Sequence, residues 1–173
     1  MYFKQATLDD LDTIIDILSD GRNQLAEAGV DQWQGDYPSR QQITGDIMQG
    51  SAFLFNDDDN ATVGAVAVVP SPDETYDTAN AQWLNETEPY RVIHRVAIHS
   101  SHAGHGYATQ LFEKIIDHIS NKHPEIKSIR IDTHSDNLAM QHLIAKMDFQ
   151  RVGEMVGVYH QDDVCYVYEK LIH

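Results

Sequence analysis

The sequence predicts an α/β fold with a mixed, mostly antiparallel central sheet flanked by helices. Two observations carry this expectation. Strand-like and helix-like segments alternate along most of the 173 residues, and strand pairs joined by turns stand toward both ends. Helical crossovers bring parallel pairing and hairpins bring antiparallel pairing, so a simple doubly wound sheet is excluded. No repeat, low-complexity tract or linker interrupts the chain, and 42% apolar content suffices for one core, so residues 1–173 are expected to form a single domain.

Tyr2 to Ala6 reads as a short strand. Thr7 then has the character of a helix N-cap, with Asp9 and Asp10 suited to the positive end of the helix dipole. Leu8, Leu11, Ile15, Leu18 and Leu25 mark one face of a helix reaching about Ala28, stopped by Gly29. A polar and aromatic connector, Val30 to Tyr37, leads through Pro38 to a second helix over 39–49. Ala52–Asn56 and Thr62–Val69 form a hairpin around the turn at Asp57 to Asn60. Residues 70–89, with three prolines and several acids, read as a long irregular insertion containing a helical turn near 79–84. A strand follows over 90–98, then a helix from about Gly104 to Ser120 with Ala108, Leu111, Phe112, Ile115 and Ile119 on one stripe. Strand 126–133, helix 136–146 and strands 149–159 and 164–171 complete the order.

The net charge of −15, without a cluster of Lys and Arg, argues against binding nucleic acid or an anionic membrane. It suits a cationic substrate, and equally a solvated acidic surface. No stretch approaches the ~20 apolar residues of a membrane span. Met1 to Gln5 lacks the basic-then-apolar order of a signal peptide, so a cytoplasmic location is expected. Cys165, the single cysteine, excludes an intramolecular disulfide and reads as a buried thiol.

From Val96 to Phe112 an apolar strand runs through a glycine-bearing turn into an amphipathic helix. Glycines at alternate positions, Gly104 and Gly106, leave backbone N–H groups open to a ligand, and the N–H groups at a helix start draw anions. The pattern reads as a phosphate cradle or as an ordinary strand-to-helix turn. A second segment, Ile131 to Gln141 followed by Lys146 to Phe149, pairs a strand with an Asn137-initiated helix and a tight turn.

Together, in this order, the two segments resemble the GNAT superfamily of N-acetyltransferases, bacterial small-domain type, and the resemblance runs from Tyr2 to Leu171. The family's signature is Arg or Gln, two residues, Gly, one residue, then Gly or Ala. The preferred register sets Ala103 at the basic or amide position with Gly106 and Ala108 at the small ones; a register from Ser101 gives Gly104 and Gly106 instead and shifts the helix stripe. Asp148 stands where relatives carry glycine, in a turn that asparagine and aspartate tolerate if it is left-handed.

The resemblance implies a GNAT-like fold, acetyl-coenzyme A as cosubstrate, and direct transfer of acetyl to a primary amine of a small molecule or peptide. It further implies coenzyme contacts from Val96, Ala97 and Ile98, whose backbone edge would receive pantetheine and whose N–H groups would polarise the thioester carbonyl. The turn Ala103, Gly104, His105, Gly106, Tyr107 and Ala108 would receive pyrophosphate, with Asn137 and Met140 nearby. The layout sets Gln32, Trp33 and Tyr37 beside the acceptor, and a homodimer paired through the C-terminal strands is open to such a chain. No metal is expected: the triplet His99, His102, His105 has a chelating spacing but no further ligands.

An amine of pKa ~10 must lose a proton before it attacks, so a base is needed. His94, on the strand that would carry the thioester, is the first candidate; packing within the sheet is the other role open to it. Asp132 and His134, at the end of the neighbouring strand, are candidates for a base or an amine-binding carboxylate, or for a local turn and helix cap. Relatives place a tyrosine acid where this chain has Ile144; Tyr107, Tyr159 and Tyr166 remain as substitutes. Asp73, Glu74 and Asp77 in the insertion would attract a cation or merely solvate a loop. With Ala103 and Ile144 departing from the family pattern, an acyl-coenzyme A sensing module without catalysis is the alternative function.

Overall fold

The structure is a computed structural model describing residues 1–87 and 89–172. Eight strands form one sheet: β1 (Tyr2–Gln5), β2 (Ala52–Asn56), β3 (Thr62–Pro70), β4 (Asn80–Ala81), β5 (Tyr90–Ile98), β6 (Ser128–His134), β7 (Gln150–Val156) and β8 (Val164–Leu171). Their spatial order is β1-β2-β3-β5-β6-β8-β7-β4. Every neighbouring pair is antiparallel except β5 and β6, which a helical crossover makes parallel. The mixed, mostly antiparallel sheet read from the sequence is the sheet observed.

Four helices cover it: α1 (Leu11–Glu27), α2 (Arg40–Met48), α3 (Tyr107–Lys122) and α4 (Leu138–Lys146). On one face α3 buries Leu111, Phe112, Ile115 and Ile119 completely against Phe55, Ile93 and Ile131, with Ile144 of α4 beside them. Removing each such side chain from water contributes about 1.5–3 kcal/mol, which holds α3 in place. On the other face Ile14, Ile17 and Leu18 of α1 and Ile43 and Ile47 of α2 pack on Ala52, Leu54 and Ala65. No helix among the described residues is long and apolar enough to cross a membrane.

The second face is wider than α1 and α2, and the insertion after β3 covers the remainder. Tyr76, in a 3-10 turn at Glu74–Tyr76, packs with Tyr90, Val92, Met155, Cys165 and Val167. This corrects the helical turn expected near 79–84: Asn80 and Ala81 instead extend the sheet by pairing with Glu154 and Gly153 of β7. The segment is pinned by Arg130, whose guanidinium lies 3.7 Å from the centroids of both Trp83 and Tyr90. Its Nε meets Oε1 of the fully buried Glu169 at 3.1 Å, while Glu169 also accepts from the backbone N–H groups of Leu84 and Asn85.

Two features of β5 create an opening. It pairs with β6 only from Tyr90 opposite Ser128 to Ile93 opposite Ile131. Just beyond, Ala65 of β3 faces Ala97 and Ala67 faces His94, so Val66 alone stands opposite Arg95 and Val96. Arg95 in this bulge adopts φ 49°, an uncommon conformation for a side chain of its size. Its guanidinium is held by two bonds to Asp46 of α2, 2.6 and 2.8 Å, and by one of 2.9 Å to the Tyr37 hydroxyl. The bulge bends β5 away from β6.

Candidate active site

The splay opens into a cavity of about 640 Å³ between β5 and β6, closed by α1, α4 and the connector after α1. A volume of this order accommodates a cofactor-sized ligand. Of the residues read from the sequence, His94, Val96, Ala97, Ile98, Ala108, Asp132, Asn137, Met140, Gln32, Trp33 and Tyr37 all line it. Gly21 of α1 is required for this closeness, because a Cβ there would stand 2.9 Å from the Cβ of Ala97.

His94 and Asp132 project from β5 and β6 on the face that the insertion covers. Oδ2 of Asp73 lies 2.7 Å from Nε2 of His94, the length of a charge-assisted bond. Burial by itself would raise the Asp73 carboxyl, but the hydrogen bond and charge of His94, with the Thr75 contacts, hold it well below the usual carboxylate range. Tyr76 stacks near the His94 ring at 6.2 Å between centroids and donates its hydroxyl to Oδ1 of Asp132 across 3.0 Å. Burial raises the Asp132 carboxyl above its ordinary pKa, with His94 and the Tyr76 bond opposing it. One short turn thus meets both candidate residues, and only Asp73 of this pair of partners had been singled out in the sequence.

His134 stands apart. It borders a separate hollow with Asp31, Asp136 and His160, and its Nδ1 accepts the Asp136 N–H at 3.1 Å. Strand alternation sets Asp132 and His134 on one face, but β6 ends at His134 and the chain turns away. His134 thus lies outside the cavity that holds His94 and Asp132, and its bond to Asp136 is the local turn contact that was its other reading.

Gln32 is buried and joins the connector to the α4 end: its Oε1 accepts from Asn137 Nδ2 at 2.9 Å, while Asn137 Oδ1 caps α4 by accepting the Met140 N–H at 3.1 Å. Trp33, at φ 60° and 6% exposed, lies over Gly21 and anchors the connector. Tyr159 also lines the cavity, and burial pushes its hydroxyl upward in pKa. Tyr107 instead stacks on His105, and Tyr166 lies under Arg151. Ile144 is fully buried in the core and takes no part.

Of the glycine turn and the start of α3, Ala108 alone lines the cavity, and Ala103, Gly104, His105, Gly106 and Tyr107 lie outside its lining. Gly104 and Gly106 have φ 82° and 72°, and a Cβ at either would meet nothing within 4 Å. Both left-handed positions fall on the small residues of the register from Ser101, whereas Ala108 already lies inside α3; the preference for the Ala103 register is corrected accordingly. The first backbone bond of α3 runs from the Gln110 N–H to the Gly106 carbonyl, 3.2 Å, so the N–H groups of Tyr107, Ala108 and Thr109 have no partner within the helix. The open cradle, the helix start and the edge of β5 that β6 leaves uncovered are donors suited to a phosphorylated, amide-containing ligand. Asp148 takes φ 61°, the left-handed turn that its replacement of glycine requires.

The family model for the acetyltransferase (GNAT) family matches residues 19–149, which include the bulge, the glycine turn and Asn137. The chain belongs to the GNAT family. Members are acyltransferases that use acetyl-coenzyme A. Among solved structures, a GNAT-family acetyltransferase from Streptococcus agalactiae is 29% identical, with TM-score 0.85 over 98% of this chain and 94% of that one. One from Listeria monocytogenes is 21% identical, with TM-score 0.76 over 98% and 94%. A spermidine N-acetyltransferase from Vibrio cholerae, in complex with coenzyme A and spermine, shares the fold at 16% identity and TM-score 0.69, covering 98% and 94%. No curated protein sequence matches the chain.

Proposed function

We propose that this GNAT protein transfers the acetyl group of acetyl-coenzyme A to a primary amine of a small molecule or peptide by direct attack. The observation that carries the reading is that His94 and Asp132 share one cavity with the stretch of β5, Val96 to Ile98, that β6 leaves uncovered. Acetyl-coenzyme A supplies the acetyl thioester. The turn from Gly104 to Ala108 would hold its pyrophosphate through N–H groups, and the edge of β5 its pantetheine, with an N–H of Ala97 or Ile98 polarising the carbonyl.

Asp132 binds the acceptor as its ammonium, and His94 takes the proton that the amine must lose. A cationic acceptor is supported by the Asp132 carboxyl on the cavity wall, since the nearby Arg95 guanidinium is already answered by Asp46. Spermine bound by the Vibrio cholerae relative is consistent with that class. Tyr159 is part of the cavity wall, where burial raises its hydroxyl above the ordinary value, and no acid is assigned.

The test is thiol release from acetyl-coenzyme A with a panel of primary amines over roughly pH 6 to 9. Amine-dependent release supports the reading. Saturable binding of acetyl-coenzyme A without release for any amine supports a sensing module instead.

A further inference from the structure

We infer that Asp73, carried into the site by the insertion, is a positioning residue that commits Nε2 of His94 as a hydrogen-bond donor and leaves Nδ1 to take the acceptor's proton. The inference rests on the acyl-transfer reading and assigns the proton to one atom of the base.

An ionised carboxylate only accepts hydrogen bonds. Oδ1 of Asp73 already accepts the Thr75 N–H at 2.9 Å, and Oδ2 faces Nε2 of His94 at 2.7 Å. The hydrogen between Oδ2 and the ring therefore belongs to Nε2. In a neutral imidazole the other nitrogen then carries the lone pair, so the basic atom is Nδ1. The same division of labour, with the nitrogens exchanged, operates in the Ser-His-Asp triad.

Asp73 is itself held on several sides. Its N–H donates to the Tyr90 hydroxyl at 3.2 Å, and its carbonyl accepts the Tyr76 N–H at 3.1 Å. The side chains of Asp73 and His94 are 9% and 12% exposed, so water competes weakly for the bond. The groups facing His94 are Asp73 and Tyr76 from the insertion and Asp132 from β6. Of these only Asp73 bonds the ring. Removing it frees the imidazole to rotate and to exchange tautomers.

Nitrogen-detected NMR of the full chain, with the His94 signals assigned by their loss in His94→Gln, reads the tautomer without any turnover. The neutral ring is expected in the Nε2–H form, turning to a mixture in Asp73→Ala. In parallel, Asp73→Asn is expected to lower kcat by roughly tenfold or more and to change the pH profile, with acetyl-coenzyme A affinity unchanged. A wild-type ring in the Nδ1–H form, or an Asp73→Asn enzyme with the wild-type pH profile, overturns the positioning role while leaving acyl transfer intact. Absence of thiol release with every amine overturns the acyl-transfer reading instead, whatever the tautomer.

Discussion

The Tyr76 hydroxyl donates to Oδ1 of Asp132 across 3.0 Å, tying the insertion to β6 at the point where β6 leaves β5. Burial raises the pKa of both groups above their ordinary values. For Asp132 the raised value means that ionisation costs more in the folded state than in the unfolded chain. The penalty is absent well below the ordinary carboxylate pKa and grows as pH rises through it toward the raised one. Asp132→Asn, which can still accept from Tyr76, is expected to raise Tm at neutral pH. Relief of such strain commonly returns about 0.5–2 kcal/mol, and about 1 kcal/mol is roughly 2–4 °C in a chain this size. Thiol release should fall by roughly tenfold or more through KM for the amine. Calorimetry showing an unchanged or lower Tm would remove the argument.

Asp73 has the opposite sign. Its folded pKa is depressed, so the carboxylate contributes stability above its ordinary pKa of ~3.9 and loses it as pH falls toward the folded value. Asp73→Asn is therefore expected to be less stable than wild type at neutral pH by about 1.5–3 kcal/mol, the range for a hydrogen bond to a charged group. The gap between urea midpoints should narrow as pH falls below about 4 in a series from roughly pH 7 down to 3. A constant gap across that range would show that the ion pair is not its source.

Glu169 makes the insertion part of the sheet. Fully buried, it accepts from Arg130 Nε, from Ser128 Oγ at 2.7 Å and from the N–H groups of Leu84 and Asn85. Glu169→Ala leaves the Arg130 charge unanswered in the interior, a loss of about 3–5 kcal/mol. Hydrogen exchange should then rise first at 71–87, ahead of α3. Uniform loosening of the whole chain would mean that the clamp is not local to the insertion.

The strands that frame the site were legible because their signals are local. The apolar run of β5, its stop before the glycine turn and the α3 stripe each follow from residue spacing, and Asn137 caps α4 as its type suggests. The insertion was not legible, since a two-residue strand has no periodicity and its position depends on Arg130, Glu169 and Gly153, all distant in sequence. The bulge was hidden for a related reason. Arg95 at the bulge is held by Asp46 and Tyr37, both distant in sequence, and nothing in the spacing of β5 distinguishes it from Arg91. His134 lies outside the cavity because alternation continues only as far as the strand does.

Gly153 offers a direct test of the insertion's docking. A Cβ there would overlap the carbonyl oxygen of Asn80 and stand 2.5 Å from the Cα of Ala81, both backbone atoms that cannot swing aside. Gly153→Val must push β4 off β7. The expected result is a protein with α3 and the main sheet intact by circular dichroism, weaker protection at 71–87 and a broadened His94 tautomer signal. An unperturbed His94 signal alongside lost protection would separate Asp73 from β4 docking.

Gly106→Val addresses the glycine turn, where backbone conformation and open space matter together. The residue occupies φ 72°, which a β-branched side chain avoids, and its ideal Cβ meets no protein atom within 4 Å. The folded core therefore gives no reason to reject the side chain, whereas the turn must either strain or flip. Flipping rotates the N–H groups ahead of Gln110 away from the ligand, and a turn that stays put presents a branched side chain to it. Either way, acetyl-coenzyme A affinity should drop at least about tenfold, equivalent to about 1.4 kcal/mol. Gly106→Ala should lose less, because it adds the positive-φ cost with little bulk. Isothermal titration with acetyl-coenzyme A measures both, and wild-type affinity in Gly106→Val would place the pyrophosphate elsewhere on the protein.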